Sequence, residues 1–263
     1  SLYLNWLGIF TILSTLELSG GVYMRILQKS ENKNRTFRSA LLAEAITISI
    51  FFILYFAFYP FFHKITSLNA FHTVLIVIQI FSTSAFNLYT AKEKYKYSYK
   101  TVFALNCIVG ILPIPIAVFL IKVFSLGEYG RIIGVVSVYF AVALFIVYHM
   151  IRGAKNISLQ EMKLLLGEGI SHFTHYLSLA VISRADKLAI FSVFGKEALA
   201  KYSVADNVGS LLLFGISAPL SALTPWVLRK LSADMLPKIR EVVTLGARLI
   251  LWVALIVLGL SPE

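Results

Sequence analysis

Long apolar runs without a charged residue restrict the fold of this chain more than any other feature. Asp, Glu, Lys and Arg are absent from residues 65–91, 101–121, 132–151 and 207–228. About 20 such residues in a helix cross the ~30 Å hydrocarbon layer of a bilayer. Charged residues make up only 14% of the chain, whereas soluble domains carry about 25%. The sequence therefore predicts an all-α, polytopic transmembrane helix bundle.

The spacing of apolar and basic segments predicts eight spans and an orientation. The predicted spans are residues 3–24, 39–60, 69–91, 101–122, 130–151, 172–194, 203–228 and 242–261. Alternate gaps between them hold 16 basic residues against 5 in the remaining gaps. Because Lys and Arg are retained on the cytoplasmic side, we expect the basic gaps to face the cytoplasm and both ends of the sequence to face outward. One missed helix would have broken this alternation.

A weak internal repeat predicts the domain organisation. Residues 3–60 and 202–260 each begin with Tyr, cross one span, pass a basic loop and enter a second span in the same direction. A parallel repeat of this kind predicts two pseudo-symmetric halves with a cavity between them. We expect residues 1–151 to form the first half, 152–171 a cytoplasmic linker and 172–263 the start of the second. Prolines within the spans, at 113, 115, 219 and 225, predict kinked helices.

The two ends of the sequence and its net charge bear on the extent of the protein and on its binding partners. The sequence begins with Ser1 and ends just past an apolar run, so we expect further helices on both sides in a longer protein. The net charge of +11 does not indicate nucleic-acid binding, because the basic residues cluster in short loops between spans.

Three segments together resemble a known family of transporters. They are YLNWLGIFTILSTLELSGGVYMRIL (3–27), the basic, tyrosine-rich FNLYTAKEKYKYSYK (86–100) and ISRADKLAIFSVFGKEALAKYSVAD (182–206). They are similar to helix two, an inner loop and the helix-seven signature of polysaccharide biosynthesis (O-antigen, Wzx-type) flippases. These flippases belong to the multidrug/oligosaccharidyl-lipid/polysaccharide exporter superfamily. Glu17 and Glu44 match no pattern of that family.

The resemblance implies a MATE-like transporter of two halves in the bacterial inner membrane. On this interpretation it flips an undecaprenyl-diphosphate-linked oligosaccharide by alternating access, surrounded by membrane lipids and driven by H⁺ or Na⁺. Other polysaccharide assembly proteins are possible partners, and no cofactor is expected. A cation-coupled multidrug antiporter of the same superfamily is the nearest alternative.

Basic residues inside or beside the spans are the candidate substrate contacts. An ionisable group within a span costs at least ~2.5–3.5 kcal/mol on insertion scales and usually faces a bundle interior. Arg184 and Lys187 lie three residues apart on one helix face, and their charges suit the diphosphate of a lipid-linked sugar. Arg25 and Arg248 are candidate cytoplasmic contacts. The alternatives are ion pairs for the first two and snorkelling towards the headgroups for the last two.

Acidic residues inside the spans are the candidate ion-coupling groups. Glu17 and Glu44 fall on adjacent antiparallel spans, where a carboxylate shielded from water binds a proton or a cation strongly. The alternatives are a hydrogen bond to a hydroxyl for Glu17 and a place near the inner interface for Glu44. Asp186 and Asp206 complete the set, with a helix N-cap as the alternative for Asp206.

A membrane-bound glycan polymerase or transferase is a third possible class. Such enzymes usually need a large extramembrane loop or a His/Asp pair at one membrane face. His172 and His175 share a helix face, but two histidines supply only half of a metal site. We therefore expect neither an enzyme nor a bound metal.

Overall fold

The described part of the chain is built from helices. The computed structural model describes residues 2–66, 68–151 and 157–232, together with residues 244, 246 and 248. The helices in chain order are α1 (Leu2–Thr15), α2 (Gly21–Lys29), α3 (Lys33–Ala57), α4 (Tyr59–Thr66), α5 (Ala70–Tyr95), α6 (Tyr99–Ile111), α7 (Pro113–Phe124), α8 (Gly127–Ile151) and α9 (Leu159–Ser232). No strand occurs within those ranges, so the predicted all-α class is confirmed.

The chain divides into two units, residues 1–186 and 187–263. Helix α9 contains one non-helical residue, Gly195, whose φ of +80° lies in the region that glycine adopts most readily. The predicted span 203–228 is helical and lies within α9. Of the predicted span 242–261, only residues 244, 246 and 248 are described.

Four helical stretches are long and apolar enough to cross a membrane. They are Lys33–Ala57, Ala70–Tyr95, Tyr99–Phe124 and Gly127–Met150, which match four of the eight predicted spans. The full count of eight stays a prediction. The first predicted span, 3–24, is divided, because α1 ends at Thr15 and α2 begins only at Gly21.

Side chains at the helix ends explain several boundaries. Asn32 caps α3, where its side-chain oxygen accepts hydrogen bonds from the backbone N–H groups of Asn34 and Arg35. Asn69 caps α5 in the same way, through the N–H of His72 at 2.8 Å. Such caps satisfy donors that the first helical turn leaves without partners. The helix is interrupted at Leu112, between the end of α6 and the start of α7 at Pro113. Pro115 lies within α7, and Pro219 and Pro225 lie within α9, so the kinks themselves stay a prediction.

Polar and apolar side chains are distributed as expected for a bundle in lipid. Ser82 and Ser84 of α5 are buried, whereas Ile53 of α3 and Phe103 of α6 are 68% and 71% exposed. Outward apolar side chains suit acyl chains, and inward polar groups find partners between helices. This pattern and the four long apolar helices support a membrane protein.

The first unit contains two apolar clusters. One surrounds Tyr23, Phe37 and Leu88, at the end where α3 begins and α5 ends. The other surrounds Phe10 and Tyr55, towards the opposite end of the same helices. Helix α5 contributes to both clusters and packs against α1, α3 and α8. The helix break between α1 and α2 therefore lies beside the central helix of the unit.

Small residues allow α7 and α8 to approach closely. A Cβ atom on Gly134 of α8 would lie 2.9 Å from the backbone N of Ala117 in α7, and one on Gly130 would lie 2.8 Å from Ile121. The two glycines are four residues apart, the spacing that places small residues on one face of a packed membrane helix.

We predict that Gly134→Ala destabilises the protein by about 1–3 kcal/mol, because the new methyl group overlaps the α7 backbone. Gly110→Ala is the matched control, since its Cβ atom meets nothing within 4 Å and alanine favours helix by up to about 1 kcal/mol. Thermal unfolding of both purified variants in detergent measures the difference. Equal unfolding temperatures for the two variants would contradict this account of the α7–α8 contact.

Candidate functional site

The break between α1 and α2 is the least regular backbone in the apolar part of the first unit. Leu16 and Glu17 follow α1 with φ values of +52° and +50°, a region that non-glycine residues rarely adopt. Turn hydrogen bonds replace the helical ones: the N–H of Leu18 donates to Thr15 and that of Gly20 to Glu17, at 3.2 and 3.1 Å. Irregular backbone at membrane depth is tolerated where protein surrounds it or where it lines a cavity.

The beginning of α9 packs directly on this break. A Cβ atom on Gly169 would lie 2.3 Å from a methyl group of Leu18, so only glycine fits there without movement. A Cβ atom on Gly20 would lie 3.5 Å from the hydroxyl of Tyr176. Glycines on both sides therefore bring the two backbones close together. Within residues 1–186, α9 thus covers one side of the break.

Glu44 of α3 lies beside the break between α1 and α2 and is completely buried. Its Oε2 accepts a hydrogen bond from the hydroxyl of Ser84 in α5. The backbone N–H of Ser19, inside the break, points towards the carboxylate. Oε1 nevertheless accepts no hydrogen bond of normal geometry from any described residue. A buried carboxylate oxygen without a donor is costly, so this atom has capacity for a ligand.

Glu17 completes an acidic pair with Glu44. It lies in the break itself, is partly buried and is close enough to Glu44 for the two carboxylates to repel each other. Two carboxylates that repel each other where water is partly excluded favour the binding of a proton or a small cation. Both residues were predicted as ion-coupling candidates, and the structure places them close enough to interact electrostatically. Their role in coupling remains a hypothesis.

The predicted cations occupy different surroundings. Arg25 of α2 pairs with Glu168 of α9 across 3.8 Å, and both side chains are well exposed. Lys187 donates to Asp206 at 2.6 Å, with partial exposure of both side chains. Arg248 is exposed. The backbone of Arg184 is helical, but its side chain lies outside the described part.

The predicted acidic residues of α9 differ in position. Asp186 is exposed. Asp206 lies well inside the helix and pairs with Lys187, so the N-cap interpretation of Asp206 is wrong. The predicted span began at residue 203, after a short outer loop, which would have placed Asp206 in its first turn. The helix instead resumes directly after Gly195, which moves Asp206 away from the helix end.

Two buried cations were not among the predicted site residues. Lys92 and Arg38 were counted with the basic loops, yet only 1% and 9% of their surfaces are exposed. Helix α5 continues to Tyr95 and α3 begins at Lys33, so both residues are helical. The available signal was that Leu88 and Tyr89, four and three residues before Lys92, lie on the same face of α5 as Lys92.

A further polar contact that sequence reasoning missed joins α3 to the start of α9. Arg35 donates to Glu161 at 2.8 Å, and Glu161 is largely buried. The Ser39 hydroxyl accepts from the backbone N–H of Ser158 at 3.0 Å. These contacts fix the first turns of α9 at the end of the unit where α3 begins. Residues so far apart in sequence leave no local signal of their pairing.

Comparison with known proteins identifies one family. The model of a family described as "Polysaccharide biosynthesis protein" matches residues 5–258, almost the whole chain. Searches of curated proteins and of solved structures found no match. The matched range includes the helix break, the acidic pair and the Lys187–Asp206 ion pair.

We predict that Ser84→Ala destabilises the protein by about 1–3 kcal/mol, because it removes the side-chain donor to the buried Glu44 carboxylate. Ser82→Ala is the matched control: Ser82 is also buried in α5, but its hydroxyl only donates to the Ile78 carbonyl of the same helix. Thermal unfolding in detergent compares the two variants. A loss no greater in Ser84→Ala than in Ser82→Ala would contradict the proposed weight of this hydrogen bond.

Proposed function

Because the chain belongs to the polysaccharide biosynthesis protein family, we propose that it acts as a flippase for a lipid-linked oligosaccharide. The substrate is an undecaprenyl-diphosphate-linked repeat unit of O-antigen or another polysaccharide. The protein would carry it across the bacterial inner membrane for polymerisation outside. This role places the chain among membrane transporters and assigns it no covalent chemistry.

The observation that carries the proposal is the helix break with its buried acidic pair, beside helices long enough to span a membrane. A simple membrane anchor has no use for a carboxylate as deeply buried as Glu44, since its burial opposes folding. Transporters often place ion and substrate sites at discontinuous helices, where free backbone groups supply ligands. The segment between α1 and α2 has this construction, with Glu17 in the break and Glu44 against it.

The proposed mechanism is alternating access driven by an ion gradient. A proton or Na⁺ binds at Glu17 and Glu44 and is released on the other side, which biases the protein between inward and outward states. Arg184 and Lys187 contact the diphosphate during transport, and Arg25 and Arg248 meet it first on the cytoplasmic side. Guanidinium groups match phosphate oxygens in geometry and charge.

The Lys187–Asp206 contact gives the mechanism an exchangeable ion pair. The carboxylate of Asp206 accepts a hydrogen bond from the ammonium group of Lys187 at 2.6 Å. A diphosphate would compete with that carboxylate for the ammonium group, so substrate binding would release Asp206. Asp186, on the same helix, would take part in such a rearrangement.

A cation-coupled multidrug antiporter is the second candidate. The buried Glu44 also suits this function, because a carboxylate in an apolar bundle can bind a cationic drug in exchange for a proton. The two functions differ in the sign of the substrate charge, and they are separated by the phenotype of cells that carry the protein. A glycan polymerase or transferase remains a weaker third hypothesis.

We predict that the full-length protein restores surface polysaccharide in a bacterium that lacks its own flippase. The same cells should gain no resistance to cationic drugs, because the substrate is an anionic lipid. Surface glycan is measured by gel staining or lectin labelling, and resistance by growth inhibition. Drug resistance without glycan export would identify the antiporter instead.

Two variants test whether Arg184 is required for glycan export. Arg184→Ala should abolish export at normal expression, through loss of a diphosphate contact. Lys201→Ala is its control, because Lys201 forms an exposed pair with Glu197 on the same helix and should export normally. Normal export by Arg184→Ala would exclude that residue from substrate binding.

We predict that Glu44→Gln lowers gradient-driven transport at least tenfold while the protein folds normally. The amide keeps the shape of the side chain and an acceptor for Ser84, but it can neither release a proton nor attract a cation. Vesicles with an imposed pH or sodium gradient measure the transport of labelled substrate. Glu128→Gln, at an exposed carboxylate of α8, is the control. Full gradient-driven transport by Glu44→Gln would overturn the coupling role.

A further inference from the structure

Two buried cations lie at the end of the first unit where α3 begins and α5 and α8 end. Arg38 is in the second turn of α3 and Lys92 is in the last turn of α5. Long basic side chains at the end of a membrane helix normally extend towards water and headgroups. Here both are turned into the bundle, with 9% and 1% of their surfaces exposed. Their burial therefore needs a physical account.

The partners of Lys92 only partly compensate its charge. Its Nζ lies 3.4 Å from a carboxylate oxygen of Glu93 and 3.3 Å from the side-chain oxygen of Asn34. A third contact, at 3.0 Å, goes to the sulfur of Met150, and a thioether is a weak acceptor. The ring of Tyr89 lies 4.6 Å away and adds a cation–π contact.

Arg38 has still fewer partners. Its terminal nitrogen donates to the backbone carbonyl of Met150, at the end of α8. Its Nε is buried and donates to no group in the ranges that the structure describes. The two cations are close enough to repel each other, and Lys96 adds to that repulsion. Glu161, which contacts the start of α3, pairs with Arg35 through Oε1, and its buried Oε2 accepts from no group in the described ranges.

This cluster, Arg38, Lys92 and Glu93, thus carries two positive charges and one negative charge largely shielded from water. Buried charge without a counterion is costly, and an unused guanidinium N–H adds to the cost. The carbonyl end of α8 supplies part of the missing negative charge through the helix dipole. An anion with several oxygen atoms would supply the rest and accept from both cations.

We propose that Arg38 and Lys92 form a binding site for the phosphate headgroup of a membrane lipid. Guanidinium and ammonium groups together match phosphate oxygens, and basic pockets between helices near the membrane surface suit lipid headgroups. The phosphate takes the places now held by the sulfur and the carbonyl oxygen of Met150. Its source is either the diphosphate of a polyprenyl lipid or an anionic phospholipid of the bilayer. The site does not depend on the proposed transport activity.

The test is the thermal stability of the purified full-length protein, titrated with defined lipids in detergent. The probes are undecaprenyl diphosphate, phosphatidylglycerol and, as an uncharged comparison, diacylglycerol. A lipid that binds only the folded state raises the unfolding temperature in proportion to its concentration and affinity. We expect at least one phosphate-bearing probe, and not diacylglycerol, to stabilise the native protein.

Variants assign that effect to the cluster. Arg38→Gln should lower the affinity for the phosphate lipid at least tenfold. Arg38→Lys should give an intermediate loss, because lysine keeps the positive charge but lacks the paired N–H donors of the guanidinium group. Lys122→Gln, at an exposed cation of α7, should leave affinity unchanged.

Each outcome decides the proposal. If Arg38→Gln loses only the stabilisation by undecaprenyl diphosphate, the ligand is the polyprenyl lipid. If it loses the stabilisation by phosphatidylglycerol, alone or together with that by undecaprenyl diphosphate, the bilayer phospholipid is a ligand of the site. Native-like affinity of Arg38→Gln for every phosphate probe, or no stabilisation of the native protein by any of them, overturns the site. If Arg38→Gln does not fold, Lys92→Gln takes its place, with the same expected loss of affinity. A protein that binds these lipids but exports no glycan would refute the proposed function and leave this site standing.

Discussion

The structure depends on one requirement, which is that backbone groups in hydrocarbon must find hydrogen-bond partners inside the protein. Unbroken helices such as α5 meet it by themselves, whereas the segment between α1 and α2 does not. Its backbone turns through two residues of positive φ and is enclosed by α3, α5 and α9. Gly169 lets α9 pack closely on Leu18, and Ser84 of α5 donates a hydrogen bond to Glu44, so both residues help to enclose the break within the protein. The break is therefore a feature of tertiary packing rather than of local sequence.

Both sets of buried charge lie beside helix ends of complementary dipole. The Glu44 carboxylate faces the backbone of the break just before the start of α2, where the free N–H groups favour an anion. Arg38 donates to the Met150 carbonyl in the last turn of α8, where the helix dipole favours a cation. Because a helix end supplies only about half an elementary charge, neither site is fully neutralised. Among the described residues, Oε1 of Glu44 and Nε of Arg38 each have no hydrogen-bond partner.

Features that depend on local composition, such as the positions of the apolar helices, were predicted from the sequence. Features that depend on contacts between distant residues were not. Charge-free runs located the helices that contain residues 101–122 and 130–151, because hydrophobic length is a local property. The apolar run at residues 3–24 hid the break, since turn hydrogen bonds leave composition unchanged. Glu17 and Glu44 were found because a carboxylate inside an apolar span is unusual at any depth. Lys92 and Arg38 were assigned to loops, because their burial comes from the end of α8, about 60 and 110 residues further along the chain.

The position of the two charged sites affects how they could act together. Glu44 and Arg38 both belong to α3 and are six residues apart, less than two helical turns. A rigid movement of α3 would displace both residues. An ion bound at the break and a phosphate bound at the end of the helix would then each change the protein's affinity for the other. Such linkage must be reciprocal, because a coupling free energy between two ligands acts equally on both. If both proposed ligands bind and α3 moves as a rigid body, an ion at the break changes the affinity for a phosphate-bearing lipid without contact between the two ligands.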